Sequence, residues 1–159
     1  MSLQNKTEKS FFWYILGSFF FIGYVPWFPG TAASFIMAVL IKFLYPFKPA
    51  PVLEILMIVC FFFLGVKASR HIEKRTGKED PGFIVIDEAV GMMLTVFLLP
   101  KSFSVVFGGM VLFRIFDIWK PWIIYRVQKV PDGWGVMLDD LLAGLAAWIL
   151  NAAYFYFVP

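Results

Sequence analysis

The chain has 159 residues, of which 60% are hydrophobic and only 16% charged, with a formal net charge of +3. That length suits one domain, and a soluble fold this small has too little interior to hide 20 phenylalanines and 6 tryptophans, so much of the outer surface is expected to meet lipid. No long basic run is interleaved with polar residues, which argues against nucleic acid as a partner, and the single cysteine, Cys60, excludes an intrachain disulfide or a cysteine-based zinc site and is expected to be a buried, inert thiol.

Residues 1–10 are polar and read as a flexible N-terminus ahead of a single membrane-embedded domain covering 11–159. Lys6 and Lys9 precede an apolar stretch that lacks a small-x-small cleavage site, so it does not read as a cleaved signal. Residues 11–28 are apolar and aromatic, with Gly17 and Gly23 inside, and Pro26-Trp27-Phe28-Pro29-Gly30 breaks the chain. Apolar stretches follow at 31–47, interrupted by Lys42, and at 52–66, interrupted by Glu54, with Pro46, Pro49 and Pro51 making the turn between them. After a charged segment ending in Asp80-Pro81-Gly82, further apolar stretches run over 83–99, 102–119 and 136–158. A helix needs about 20 residues to cross a bilayer, so these five stretches are spans or near-spans. There is no sustained alternation of period two, so helices rather than a barrel satisfy the backbone in lipid. The expected fold is all-α, a polytopic membrane helical bundle of about five spanning helices.

Lys67, Arg70, Lys74, Arg75 and Lys78 follow the 52–66 stretch on a helix that continues out of the membrane, and by the positive-inside tendency this end is cytoplasmic. Counting spans from there puts Gly30-Thr31 and residues 120–135 inside, with Lys101 and the C-terminus outside. Lys6 and Lys9 also prefer the inside, so segment 11–28 starts and ends on one face. It is expected to be re-entrant or interfacial, bent near Gly17 or Gly23; the competing arrangement is an external N-terminus with a sixth simple span.

Asp87, Glu88, Arg114, Asp117, Lys120, Asp139 and Asp140 all fall at or near the cytoplasmic ends of three predicted spans. Charge at membrane depth faces a bundle interior and pairs or binds something. These five carboxylates, with Asp80 nearby, make a candidate site for a hard cation such as Mg²⁺, which takes oxygen ligands and keeps waters for a substrate phosphate. Arg114, Asp117 and Lys120, three apart, occupy one broad helical face that can grip phosphate while the Asp serves a metal. The plainer reading is an Arg114–Asp117 ion pair with a snorkelling Lys120.

Asp87 and Glu88 point about 100° apart and are expected to do separate jobs, and Gly91 shares the Glu88 face and allows close helix packing. For both acidic pairs the bland alternative is a helix N-terminus that favours negative charge. Pro29-Gly30-Thr31, with Ser34 a turn later, opens a helix whose free N–H groups suit an anion, with Thr31 a candidate N-cap. His71 is the only histidine and is expected at the solvated surface, which argues against histidine-based catalysis. No phosphate-loop, nucleophile-elbow or zinc-protease motif is present.

Four blocks together resemble the phosphatidylglycerophosphatase A family: Pro26-Trp27-Phe28-Pro29-Gly30-Thr31 with Ser34; Asp80 with Asp87-Glu88 and Gly91; Phe113-Arg114, Asp117 and Lys120-Pro121; and Gly133, Gly135, Met137, Asp139-Asp140 and Gly144. The chain departs from the family's pattern where Phe19 to Ile22 replace a glycine-rich stretch and Ala33 stands where glycine is common. The resemblance implies a Mg²⁺-dependent phosphatase of the bacterial inner membrane that converts phosphatidylglycerophosphate to phosphatidylglycerol and phosphate, and the span count places its site on the cytoplasmic face. On that reading Asp80, Asp87, Glu88, Asp117, Asp139 and Asp140 are the candidate metal ligands. Arg114, Lys120, Gly30, Thr31 and Ser34 would hold the phosphate. Glu88 is the foremost catalytic carboxylate, with Asp87 and Asp139 beside it. Two rivals are a cation transporter using the acidic cluster, with Lys42 and Glu54 as its far-side polar residues, and a CDP-alcohol phosphotransferase, whose Asp-Gly-x-x-Ala-Arg motif is missing.

Overall fold

The computed structural model describes residues 3–44 and 50–157, with side chains from Ser10 onward. Residues 1 and 2, and Pro46 and Pro49 of the expected turn, lie outside the described residues. Among the described residues the chain is all-helical, with seven α-helices, one 3-10 turn and no strand. The helices are α1 (Leu3–Gly17), α2 (Pro29–Leu44), α3 (Pro51–Thr76), α4 (Ile86–Thr95), α5 (Phe103–Trp119), α6 (Trp122–Val127) and α7 (Trp134–Phe157).

The boundaries follow from local chemistry. Pro29 and Pro51 open α2 and α3, where a missing N–H costs nothing. Gly77, at φ 68°, closes α3 by donating its N–H to the Glu73 carbonyl. Ser102 caps α5 by accepting the Val105 N–H at 3.3 Å. Lys120 closes α5 in a left-handed conformation, with its N–H on the Phe116 carbonyl, and Pro121 prevents continuation.

The backbone is helical from Leu3, so the described part of the polar N-terminus runs into the aromatic segment as one helix. α1 stops at Gly17, one of the two places where a bend is expected. Phe19, Phe20 and Phe21 then turn the chain with φ of 45°, 57° and 68°. Left-handed backbone costs a residue with a Cβ about 1–2 kcal/mol, and this is the stretch that is glycine-rich in the resembled family. Ser18 holds the turn by accepting the Phe21 N–H on its hydroxyl and the Gly23 N–H on its carbonyl. The Val85 N–H donates to the Gly17 carbonyl, and Phe83 stacks between Tyr14 and Tyr24, so this turn carries the loop that leads into α4.

α3 is one uninterrupted helix through both its apolar half and its charged extension, as expected. α3 and α7 are long and apolar enough to cross a membrane. Only 33% of the apolar window of α3 and 44% of that of α7 are buried, so neither is simply the core helix of a soluble fold. The other three apolar stretches give shorter helices of 16, 10 and 17 residues in α2, α4 and α5. Among the described residues, two helices of crossing length therefore stand where five spans are expected. Cys60 is exposed on α3, against the expectation of a buried thiol, beside the exposed side chains of Leu56, Val59 and Phe63.

α4 is the centre of the bundle and packs against α2, α3, α5 and α7. Its closest approach is to α7, where a Cβ on Gly144 would lie 2.5 Å from the Gly91 carbonyl oxygen. A Cβ on Gly91 would lie 2.5 Å from the Phe113 ring of α5, so the expectation that Gly91 admits close packing is met. Buried Asn151 donates to the Thr95 and Val105 carbonyls at 3.3 and 3.0 Å and joins the ends of α4, α5 and α7. At the same end Lys101 Nζ lies 3.6 Å from Glu54, and Lys42 donates to the Lys101 carbonyl.

Candidate active site

At the opposite end, a cavity of about 270 Å³ is lined by the start of α2, the loop before α4, the first turn of α4, the last turns of α5, and α7. Its polar lining is Gly30, Thr31, Asp80, Asp87, Glu88, Arg114, Asp117, Lys120 and Asp140. Of the sequence-predicted residues, only Ser34 and Asp139 do not line it.

Its acidic wall follows from the glycine crossing. Residues three or four apart on a helix share a face, so Glu88 stands over Gly91 on α4 and Asp140 over Gly144 on α7. Close approach of the two glycines brings the carboxylates together one turn above. Oxygens of Asp87, Glu88 and Asp140 lie within 4.8 Å of one another. Asp87 Oδ1, Glu88 Oε2 and Asp140 Oδ2 are buried without a hydrogen-bond partner. Three buried carboxylates at this spacing repel one another, and orphaned oxygens at such depth are expensive. A hard divalent cation answers both, since its ligands are oxygens of this kind.

The basic wall comes from α5. Arg114 meets Asp117 at 2.5 Å and stands 3.7 Å from Glu88, and its Nε is buried without a partner. Lys120 meets Asp139 at 2.5 Å and lies 4.0 Å from Asp117. Arg114 and Asp117 pair along the helix as the plainer reading expects, while Lys120 is tied to Asp139 and does not snorkel, and both bases line the cavity. Desolvation pulls the Lys120 ammonium down, but the hydrogen bond and charge of Asp139, with Asp140 and Asp117, outweigh it and leave the group above its usual value. Asp139 also accepts the Asp140 N–H at 3.0 Å. It faces Lys120 and not the acidic cluster, because neighbours on a helix point about 100° apart.

Asp80 sits at the rim, where Gln128 donates to it at 3.4 Å. Partial burial pushes its carboxyl above the ordinary range, against the opposing pull of Lys120. A Cβ at Gly30 would lie 2.0 Å from Glu88 Oε1 and 3.1 Å from Arg114, so a larger residue there would push these two side-chain tips out of place. Gly30 and Thr31 are in the first turn of α2, where N–H groups have no acceptor within the helix. Ser34 is buried with its hydroxyl on the Gly30 carbonyl at 2.9 Å, so it serves the helix and not the cavity.

Trp27 and Phe28 line the mouth and are 87% and 72% exposed, a role the sequence reading did not assign them. Two large aromatics held between Pro26 and Pro29 were the available signal. His71 is partly exposed, with Nε2 3.4 Å from Ser10 and its ring against Trp13. Lys42 and Glu54, the far-side residues of the transporter reading, are tied to Lys101 and do not extend the acidic cluster.

A sequence model of phosphatidylglycerophosphatase A matches residues 15–155. The chain is 35% identical to the phosphatidylglycerophosphatase A of Escherichia coli over 98% of its own length and 88% of that protein. It is 33% identical to the protein of that name from Haemophilus influenzae, covering 82% of this chain and 80% of the relative. A Bacteroides thetaiotaomicron protein described as a putative phosphatidylinositol-3-phosphatase is 35% identical, over 91% of this chain and 94% of its own. No solved structure matches the chain.

Proposed function

The chain belongs to the phosphatidylglycerophosphatase A family, and from that premise we propose that it removes the terminal phosphate of phosphatidylglycerophosphate in a Mg²⁺-dependent hydrolysis at the cytoplasmic face of a bacterial inner membrane. As a member of that family it is a phosphoric monoester hydrolase. The observation that carries the reading is the gathering, in one cavity, of three carboxylates, each with one buried oxygen lacking a hydrogen bond, beside an arginine and a lysine.

Asp87, Glu88 and Asp140 would hold the metal, which when bound would offset the charge of the phosphoryl group and polarise it. Arg114 presents a planar fork of N–H donors to two phosphate oxygens, and Lys120 adds a compact positive charge. The Gly30 and Thr31 amides offer further donors at the start of α2. Asp139 acts as a positioning residue that keeps Lys120 charged and aimed. Water attacks phosphorus, the bond to the glycerol oxygen breaks, and that oxygen leaves with a proton. Glu88, beside Arg114, is the carboxylate assigned to take the proton of the attacking water. Trp27 and Phe28 at the mouth suit the boundary where a head group enters from lipid.

The five-span arrangement belongs to the same proposal, with α2, α4 and α5 completing the crossing beside α3 and α7. Asp132, just before α7, pairs with Arg70 and Lys74 at 3.2 Å each, which ties the basic end of α3 to the end where the cavity opens. The positive-inside tendency then supports a cytoplasmic active site.

The test is phosphate release by the purified protein from short-chain phosphatidylglycerophosphate, with Mg²⁺ and again with EDTA. Release with the metal and its loss on chelation are expected. Folded protein that releases nothing in either condition would remove the proposal. Phosphatidylinositol 3-phosphate belongs in the same assay because of the name carried by the Bacteroides relative, and a higher kcat/KM on it would transfer the substrate assignment.

A further inference from the structure

A second charged feature lies outside the active-site cavity. Lys67, Arg70, His71, Lys74 and Arg75 recur at helical spacing along one face of α3. With Trp13 of α1 they line a trough of about 340 Å³ that has no acidic side chain among its lining residues. Its shape is fixed: Arg75 donates to the buried Ser10 hydroxyl of α1 at 2.5 Å, and the His71 and Trp13 rings lie 6.2 Å apart. Asp132 reaches only its edge and pairs with Arg70 and Lys74, which remain more than half exposed. Lys67 has no ion pair among the described residues.

What lies above the trough on the same helix identifies its ligand. Val52, Leu56, Val59 and Phe63 are exposed apolar residues at steps of three and four, and Lys67, Arg70 and Lys74 continue that same row. One unbroken face of α3 thus changes from bare apolar to basic within one turn. Leu56 to Lys67 is about 16 Å of helix at ~1.5 Å per residue. One leaflet of hydrocarbon is about 15 Å, half of a core of ~30 Å. A lipid lying along this face has its chains against Leu56 to Phe63 and its phosphate among the bases.

We propose that the trough between α1 and the basic end of α3 binds the phosphodiester head group of an anionic phospholipid, separately from the active-site cavity. This does not depend on the reaction assigned to that cavity, none of whose residues it shares.

The experiment is native mass spectrometry of the whole protein released from nonionic detergent doped with phosphatidylserine or with phosphatidylcholine of the same chains. Wild-type protein is expected to retain phosphatidylserine preferentially. The pair Lys67→Ala and Lys74→Ala should cut that retention at least about tenfold, from roughly fivefold per lysine at an anionic surface. It should leave phosphatidylcholine unchanged, and Lys67→Arg with Lys74→Arg should restore binding. Equal retention of the two lipids by wild type overturns the proposal, as does undiminished phosphatidylserine on the folded alanine variant. Displacement of the lipid by an equal concentration of inorganic phosphate would make this a free-anion site and overturn the lipid assignment. If the alanine variant does not fold, the two-lipid comparison on wild type and on the arginine variant still decides.

Discussion

Arg114 is bound to opposing demands: it neutralises Asp117 on its own helix while facing Glu88 and the cavity. Arg114→Ala is expected to lower kcat at least ~100-fold in the phosphate-release assay, the scale of losing one pre-aimed donor to developing charge. Arg114→Lys should recover little, since a point charge does not replace a planar fork. Asp139→Asn tests the positioning role. Lys120 lies above its usual value because Asp139 helps to hold its proton, so losing that carboxylate moves the Lys120 pKa down. The alkaline limb of the kcat/KM profile should then shift to lower pH, while an unmoved limb would take Asp139 out of that role. The sequence placed Asp139 and Asp140 at the site but could not tell them apart, because the rotation of α7 against α4 is set by glycines a turn away and not by the acids themselves.

At the level of helices, the crossing of α4 and α7 decides whether a site exists at all. Gly144→Leu would drive a side chain into the Gly91 backbone. It is expected to destabilise the fold by about 2 kcal/mol or more, as overpacking against an unyielding neighbour does. Thermal unfolding in detergent measures this, and a melting temperature equal to wild type would mean that the helices do not meet at these glycines. The sequence made Gly91 legible as a packing position because it shares a face with Glu88. It did not make the length of α4 legible. Residues 83–99 read as one apolar span, yet the helix covers only Ile86–Thr95. Beyond it Leu98 turns left-handed at φ 58°, its N–H goes to Glu54, and Lys101 takes the Val96 carbonyl. A partner 44 residues away, Glu54, and a local one, Lys101, overrule an apolar pattern that by itself favours more helix.

Across the whole molecule, chemistry and restraint are segregated. The acids of the cavity and their bases are gathered at one end, and the Lys42, Glu54 and Lys101 knot closes the other. The clustering was legible because charge is rare in this chain and each charged position in an apolar stretch had to be accounted for. The left-handed run at Phe19–Phe21 was not, because nothing in three consecutive phenylalanines announces a conformation that favours glycine. Phe20→Gly, at a ring 66% exposed, should raise stability by up to about 1 kcal/mol, the relief of left-handed backbone less the added freedom of the unfolded chain. A lower melting temperature would count against strain there. This turn also bears on the breathing of the protein. Its hydrogen bond to Val85 and the Phe83 stack fasten it to the loop that delivers Asp80 and to the first turn of α4. Backbone amides from Ser18 to Tyr24 and from Phe83 to Ile86 should therefore exchange with deuterium together, as one cooperative unit that borders the acidic wall.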